Sequence, residues 1–320
     1  MKAVVYTEYG GPEVLKLKEI PTPSPKEDEV LIKVHAVSLN DWDLGNMEGK
    51  PYFMRMKSGF KHPKQSIPGS DVAGTIVYLG KLVKQFKIGD EVYGDLSGTW
   101  GGLAEYVCAK EKALVLKPKS MSFVDAAAIP QAAMLAVQGL IDKGKNKKGQ
   151  KILINGAGGG VGIFGVQIAK LYQAEVTGVD HTTKLNMMRS LGFDHVIDYT
   201  NQDFTKTGET YDLILDAKTS RIINSYIRTL KPGGKYVTVG GKMGLLLPTL
   251  LLSPVTTLFT KKEFHIVILK VNKDLPWMNE LFESGKIKTV IEGPYQFEEF
   301  RQAFEIFANA QHKGKVVIVM

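Results

Sequence analysis

The densest chemical signal in the chain is the run Ile154-Asn-Gly-Ala-Gly-Gly-Gly-Val-Gly162. Glycines at this spacing let backbone N–H groups come close to an anion. A helix that opens on them turns its positive end towards the same charge. In the strict fingerprint register the three key places are Ala157, Gly159 and Gly162, with Gly158, Gly160 and Val161 between them. Gly159 lets the backbone approach a pyrophosphate, and Gly162 lets the helix pack close to a sheet. The acidic residue that such a motif needs is Asp180, at the end of the next apolar run. Its carboxylate can accept hydrogen bonds from ribose hydroxyls, which suits NADH and repels a 2′-phosphate. His181, Thr182, Thr183 and Lys184 follow at once, and a lysine beside hydroxyls suits the extra phosphate of NADPH. Both cofactors stay open, and Asp180 also fits the role of a helix N-cap. Gly240, just after Lys235-Tyr-Val-Thr-Val239, completes the expected cofactor-binding set. Glycine turns are common and methyltransferases use similar loops. The strand before, the helix after and the acid on the next strand together favour a dinucleotide.

These residues need a strand–loop–helix frame, and the sequence supplies one. Lys151-Ile-Leu-Ile-Asn155 reads as a short apolar strand, and Val161 to Tyr172 as a helix. Strands Glu175–Val179, His195–Asp198, Tyr211–Leu215 and Lys235–Val239 alternate with helices Lys184–Leu191 and Ile222–Leu230, the last ended by Lys231-Pro-Gly-Gly234. Such alternation predicts a parallel sheet covered on both faces. Residues 1 to about 122 differ. Short strand-like runs such as Val30–Val37, Val72–Tyr78 and Ala113–Leu116, punctuated by Gly and Pro, predict a barrel or sandwich. An Ala-rich helical stretch from Phe123 towards Lys143, with Ser122 as its N-cap, joins the two regions. Helices at Pro276–Ser284 and Glu298–Asn309 and a strand Lys315–Met320 close the chain.

Composition bounds the rest. A chain of 320 residues with 44% hydrophobic and 23% charged residues has apolar material for two domains and is not disordered. Lys and Arg number 41 against 33 Asp and Glu, a net charge of +8 with no long basic tract. That argues for attraction to nucleotide phosphates and against nucleic-acid binding. The single cysteine, Cys108, excludes an intrachain disulfide and a Cys-rich zinc knuckle, and fits a reducing cytoplasm. The opening residues carry no signal-peptide pattern. The apolar run Leu245–Phe259 is shorter than the ~18–20 residues of a membrane span and holds two prolines. It reads as a buried helix or subunit interface; an apolar substrate wall and a membrane-surface patch are the other options.

Taken together, these segments resemble the medium-chain dehydrogenase/reductase superfamily, and more narrowly its zinc-free branch of quinone and enone reductases. The resemblance rests on Met1-Lys-Ala-Val-Val-Tyr6, Pro68-Gly-Ser-Asp-Val-Ala-Gly74, Phe86-Lys-Ile-Gly-Asp-Glu-Val-Tyr-Gly94 and Gly102-Leu-Ala-Glu-Tyr106. It continues through Ala127-Ala-Ile-Pro130, the glycine loop, Leu230-Lys-Pro-Gly-Gly-Lys235 and Gly314-Lys-Val-Val-Ile318, in the family's order. It implies an α/β architecture: a GroES-like, β-rich catalytic domain over 1–122 and 275–320, and a doubly wound parallel-sheet Rossmann domain over 123–274. A cleft between them would take NADPH or NADH and the substrate, and relatives are commonly homodimers.

Zinc-containing members of the superfamily hold a catalytic ion with a Cys and a His-Glu pair. Here those positions read as Asn40 and Ser70-Asp71, and the four-cysteine structural loop has no cysteines, so no metal is expected. Without a Lewis acid, hydride delivery to a quinone or an α,β-unsaturated carbonyl is easier than oxidation of an alcohol. Such acceptors need orientation and a few donors near the carbonyl oxygen. Asn40 and Asp43 match polar positions that zinc-free relatives keep near the nicotinamide, and Tyr52 resembles a family tyrosine beside the cleft. All three also read as ordinary turn or loop residues. The expected activity is transfer of hydride from NADPH or NADH to a small quinone or enone. A zinc-type alcohol dehydrogenase and a non-catalytic NAD(P)H-binding sensor or scaffold are the competing readings.

Overall fold

Apolar residues on alternate positions, with Gly and Pro at the breaks, build the early part of the chain as strands. The computed structural model describes residues 1–52, 55–64, 66–241 and 243–320. β1 (Lys2–Val5) and β2 (Lys16–Glu19) form an antiparallel ribbon. β3 (Glu29–Ser38) is the long central strand, burying Val30, Ile32, Val34 and Ala36 on one face. α1 (Asp41–Glu48) follows and stops at Gly49, whose φ of 62° no β-branched residue would tolerate. After α2 (Arg55–Ser58) come β4 (Asp71–Leu79), β5 (Glu91–Asp95), β6 (Tyr106–Lys110) and β7 (Val115–Leu116). α3 (Phe123–Ala128) begins where the Ser122 hydroxyl accepts the Asp125 N–H at 3.0 Å.

α4 (Pro130–Val137) runs on into a π-helical turn over Gln138–Lys143. Then come β8 (Lys151–Asn155), α5 (Gly160–Leu171), β9 (Glu175–Asp180), α6 (Leu185–Leu191), β10 (His195–Asp198) and β11 (Tyr211–Asp216). α7 (Ile223–Thr229), β12 (Leu230–Thr238), α8 (Met243–Thr260) and β13 (Glu263–Ile266) complete that stretch. The chain ends with α9 (Leu275–Glu283), β14 (Ile291–Gln296), α10 (Phe300–Ala308) and β15 (Lys315–Val319).

Two compact units result. The first holds Met1–Gln131, Val271–Ser284 and Ile291–Met320; the second holds Ala132–Lys270 and Gly285–Val290. In the first, a seven-stranded sheet has the order β14-β15-β3-β4-β5-β7, with β6 also paired to β3. The last strand is thus threaded between β14 and β3, antiparallel to β3 with Val317 opposite Ser38. Ile32, Val72, Ile76, Phe304 and Ile318 lie in its core. In the second unit six strands lie parallel in the order β10-β9-β8-β11-β12-β13. β8 and β9 are buried along nearly their whole length, as a sheet covered on both faces requires. The order turns back at β8 and β11, and the crevice outside their carboxyl ends is where such sheets take ligands. This is the α/β fold expected, GroES-like in one part and doubly wound in the other.

Three local expectations change. The Ala-rich stretch is broken before Pro130 into α3 and α4, because proline lacks the N–H that would continue the helix. Lys231-Pro-Gly-Gly234 does not lie outside β12 but within it, beside an irregularity opposite Tyr211–Leu213. Ala113 and Leu114 precede the two-residue β7 instead of forming part of it. The apolar 245–259 run lies in α8, an 18-residue helix with Pro248 and Pro254 inside it. It is not buried within the chain: Leu258 and Phe259 are 78% and 81% exposed.

Candidate active site

The glycine loop closes around a carboxylate. Asp180, at the end of β9, accepts the Gly158 N–H at 2.8 Å through Oδ2 and the His181 N–H at 2.8 Å through Oδ1. The Lys184 ammonium stands 3.6 Å from Oδ1, and both side chains are buried. The Gly156 and Ala157 N–H groups donate to Val179 O at 3.0 and 3.1 Å, so the loop is tied to β9 by backbone as well. A Cβ on Gly158 would stand 2.7 Å from the Lys184 stem, and one on Gly162 only 2.3 Å from Ala157 O. Glycine is therefore forced at both places by the protein's own packing.

Gly159 differs. It caps α5 without any side-chain hydrogen bond, and a Cβ there would meet nothing nearer than Gly156 O at 3.6 Å. The protein leaves space above a helix start whose first N–H groups have no side-chain cap. Gly160, Val161 and Gly162 form that first turn. This fits a dinucleotide pyrophosphate. Around it, His181 Nδ1 lies 3.1 Å from Thr183 Oγ1, and the Thr182 hydroxyl donates to Asp198. Gly240, beyond β12, accepts the Thr219 N–H at 3.3 Å. Three residues that the sequence did not single out brace the switch point: Asn155 Nδ2 donates to Asp216 Oδ1 at 2.8 Å, and Tyr236 Oη to Asp216 Oδ2 at 2.9 Å. Burial raises the Asp216 carboxyl above its ordinary range. The signal for Asn155 and Asp216 was a polar residue ending an otherwise apolar strand.

In the first unit Asn40 and Asp43 come together at the start of α1. Asp43 is 1% exposed; its Oδ2 accepts the Asn40 N–H and its Oδ1 the Gly69 N–H, each at 2.9 Å. It ties two loops rather than presenting a free carboxylate. Burial pushes its carboxyl up to about 7 against the pull of those N–H groups. Asn40 Nδ2 donates to Ser70 Oγ at 3.2 Å, and Asn40 Oδ1 accepts from Lys315 Nζ at 2.6 Å. Asp71 is fully buried, with Ser38 Oγ at 3.3 Å and the Gln131 N–H at 3.2 Å; burial pushes its carboxyl up to about 7 as well. Tyr52 is 69% exposed, its ring 4.9 Å from the Arg55 guanidinium, which also lies 4.2 Å from the Tyr9 ring.

Lys315 was not among the expected site residues. Its Nζ also donates to Leu39 O at 2.9 Å and lies 3.6 Å from Asp71 Oδ2. This donor set does not fit a zinc ion. Asn40, Ser70 and Asp71 offer no thiolate or imidazole, and an ammonium already stands among them. Among the described residues no cluster of three or more His, Cys, Asp or Glu could hold a metal, and no helix is long and apolar enough to cross a membrane.

Comparison with known proteins places this geometry. Residues 26–119 match the alcohol dehydrogenase GroES-like domain and residues 191–318 the zinc-binding dehydrogenase domain. The chain is 37% identical to the 2-methylene-furan-3-one reductase of Solanum lycopersicum, over 99% of this chain and 79% of that one. The chain belongs to the medium-chain dehydrogenase/reductase superfamily. Within it, the branch is that of quinone oxidoreductases and enone reductases. The chloroplastic NADPH-dependent alkenal/one oxidoreductase of Arabidopsis thaliana is likewise 37% identical, with the same coverage. A quinone oxidoreductase from Coxiella burnetii superposes with a TM-score of 0.88 at 28% identity, covering 100% of this chain and 99% of the other. With that branch goes a nicotinamide cofactor.

Two outcomes follow. Gly159→Ala should leave the melting temperature within about 3 °C yet weaken NADPH binding by roughly tenfold or more, read by fluorescence titration. Gly162→Ala, which strikes backbone, should lose both stability and binding. The second outcome concerns pH. A carboxyl whose folded pKa is about 7 and whose unfolded pKa is ~3.9 keeps its proton longer in the native state. Its stabilising effect is complete below the unfolded value and is lost as pH rises through the folded one. Asp43 and Asp71 should thus lower the unfolding free energy between about pH 4 and 7, at most ~1.4 kcal/mol per pH unit each. Denaturant unfolding of Asp43→Asn should show a flatter profile over that range than the wild type.

Proposed function

We propose that this protein is a zinc-independent reductase that transfers hydride from NADPH to a quinone or an α,β-unsaturated carbonyl compound. The observation that carries the reading is the Lys315 ammonium beside Asn40 and Asp71, where zinc-containing relatives would place an ion. Acceptors that delocalise the incoming charge suit such a site, because they need donors rather than a Lewis acid. The names of the tomato and Arabidopsis relatives, a furanone reductase and an alkenal/one oxidoreductase, support the enone class, and the Coxiella neighbour supports the quinone class.

Bound NADPH supplies the hydride. The first turn of α5 binds the pyrophosphate, and Asp180 holds the loop shut by accepting the Gly158 N–H. That carboxylate is spent inside the protein, which weakens the case for NADH; the cofactor in the name of the Arabidopsis relative agrees. His181, Thr182 and Lys184 would then lie on the 2′-phosphate side, which asks Lys184 to turn from Asp180 and Thr182 from Asp198, and Gly240 would serve the carboxyl end of β12. Asn40 Nδ2, which donates to Ser70 Oγ before substrate enters, would turn an N–H to the carbonyl oxygen as charge develops there. Asp43 fixes the backbone of Asn40, and the exposed Tyr52 hydroxyl or solvent supplies the proton. In this reading the first unit is the catalytic domain and the second the dinucleotide-binding domain. A homodimer would cover the exposed leucines of α8, and a reducing compartment such as the cytoplasm suits the free Cys108 thiol.

The test is oxidation of NADPH and NADH, side by side, with benzoquinone and with hexenal, each with and without EDTA. Turnover of either acceptor, faster with NADPH and indifferent to EDTA, is expected. Cofactor binding without turnover on any acceptor would instead favour a nucleotide sensor, and loss of rate in EDTA would restore a zinc enzyme.

A further inference from the structure

A surface helix normally turns its polar stripe to water. α8 does the reverse. Thr249 Oγ1 and Thr260 Oγ1 donate to the carbonyls one turn back, Leu245 O and Thr256 O, each at 2.7 Å. Ser253 Oγ donates to Phe264 O on β13 at 3.2 Å. These hydroxyls are spent on backbone. The exposed side chains are apolar: Leu247, Leu251, Leu252, Val255, Leu258 and Phe259, with the rings of Pro248 and Pro254 among them. They recur at three- and four-residue steps and so form one continuous stripe. From Gly240 to Lys262 the chain has no acidic residue, and its basic ones, Lys242, Lys261 and Lys262, flank the apolar run.

Topology adds charge at one end of that stripe. All strands of a parallel sheet start at one edge, so the chain before β8 and the ends of α7 and α8 reach the same edge. The acids near these strand starts are taken up in ion pairs: Glu175 and Glu209 with Lys151, Asp194 with Lys170, Asp212 with Lys231, and Glu263 with Lys235. Lys143, Lys145, Lys147, Lys148, Arg228 and Lys261 are exposed and make no ion pair among the described residues. Lys262 Nζ donates to Ile227 O at 2.6 Å, which brings their chain neighbours Lys261 and Arg228 to one corner. Leu258 and Phe259, the most exposed members of the stripe, end α8 at that corner. The run Lys143–Lys148 precedes β8, three strands from β13, or about 14 Å along the edge.

A protein partner would offer about one hydrogen bond per 100–200 Å², and this stripe has no group to receive it. A second copy of α8 would set lysines against lysines with no acid between Gly240 and Lys262 to meet them. Acyl chains need no hydrogen-bond partner, and anionic headgroups match the unpaired cations. We propose that α8 docks this protein on an anionic membrane surface. Leu258 and Phe259 enter among the acyl chains, and Arg228, Lys261 and the 143–148 lysines meet the headgroups. The helix lies in the interface and does not cross it. This goes beyond the reductase reading and does not depend on it.

Flotation of the full chain with vesicles tests the proposal. Binding is expected on phosphatidylcholine vesicles that contain phosphatidylserine, and roughly tenfold weaker on phosphatidylcholine alone or in high salt. Leu258→Ser/Phe259→Ser and Arg228→Gln/Lys261→Gln should each lower the partition coefficient about tenfold or more. Both should keep NADPH affinity within about twofold, which shows that they fold. The indole introduced by Phe259→Trp should be quenched by lipids brominated on the acyl chains, beyond the quenching of the wild-type tryptophans. A wild type that does not float with the phosphatidylserine vesicles overturns the proposal. So does full binding by Leu258→Ser/Phe259→Ser, or an unquenched indole, since either would leave charge alone as the attraction. A dimer that does not float and that Leu258→Ser/Phe259→Ser splits into monomers would assign the stripe to a second copy instead.

Discussion

A carboxylate shut away from water must be satisfied by the protein around it, and that constraint sets the geometry of both halves of this molecule. Asp180 collects two backbone N–H groups and a lysine, and in doing so bends the glycine loop over the end of β9. Asp216 collects Asn155 and Tyr236 and so joins the ends of β8, β11 and β12. Asp43 collects the N–H groups of Asn40 and Gly69, and Asp71 the Gln131 N–H and the Ser38 hydroxyl with Lys315 near by. In each case the acid is a strut, and the groups it draws in become a fixed frame.

The fold supplies the partners through topology. A parallel sheet whose order reverses at β8 and β11 brings Asn155 and Asp216 into neighbouring register. A last strand threaded between β14 and β3 carries Lys315 across almost the whole chain to Asn40. Both devices place charge where the surrounding strands are apolar, so the interactions are strong and the groups have few alternatives. The absence of thiolate and imidazole at Asn40, Ser70 and Asp71 is thus matched by an internal cation, and the chemistry shifts towards acceptors that carry their own electron sink.

The second unit was legible because its signals are local. Short apolar strands, a glycine loop and an acid at the next strand end all fall within 30 or so residues, the span of one βαβ unit. What Asp180 does was not legible: its sequence position suits a ribose contact or a helix cap, whereas its oxygens face the loop. Lys315 lies in the run that resembles the family ending, and nothing local in the sequence marks a partner 275 residues away. The apolarity of Leu245–Phe259 reads as a buried helix or a subunit interface; the first is not what the chain shows, because one chain alone cannot cover every face of a helix with no polar stripe. The strand through Lys231–Gly234 shows the same limit on a small scale, because pairing across the sheet overrode the local turn signal.

If buried carboxylates preform the site, the loop should be closed before any cofactor arrives. The most direct measurement is hydrogen exchange at the Gly158 amide in the cofactor-free protein. The account predicts strong protection in the wild type and loss of that protection in Asp180→Ala, because the Asp180 carboxylate is the acceptor. A Gly158 amide that exchanges like an open loop, and becomes protected only when NADPH binds, would contradict it.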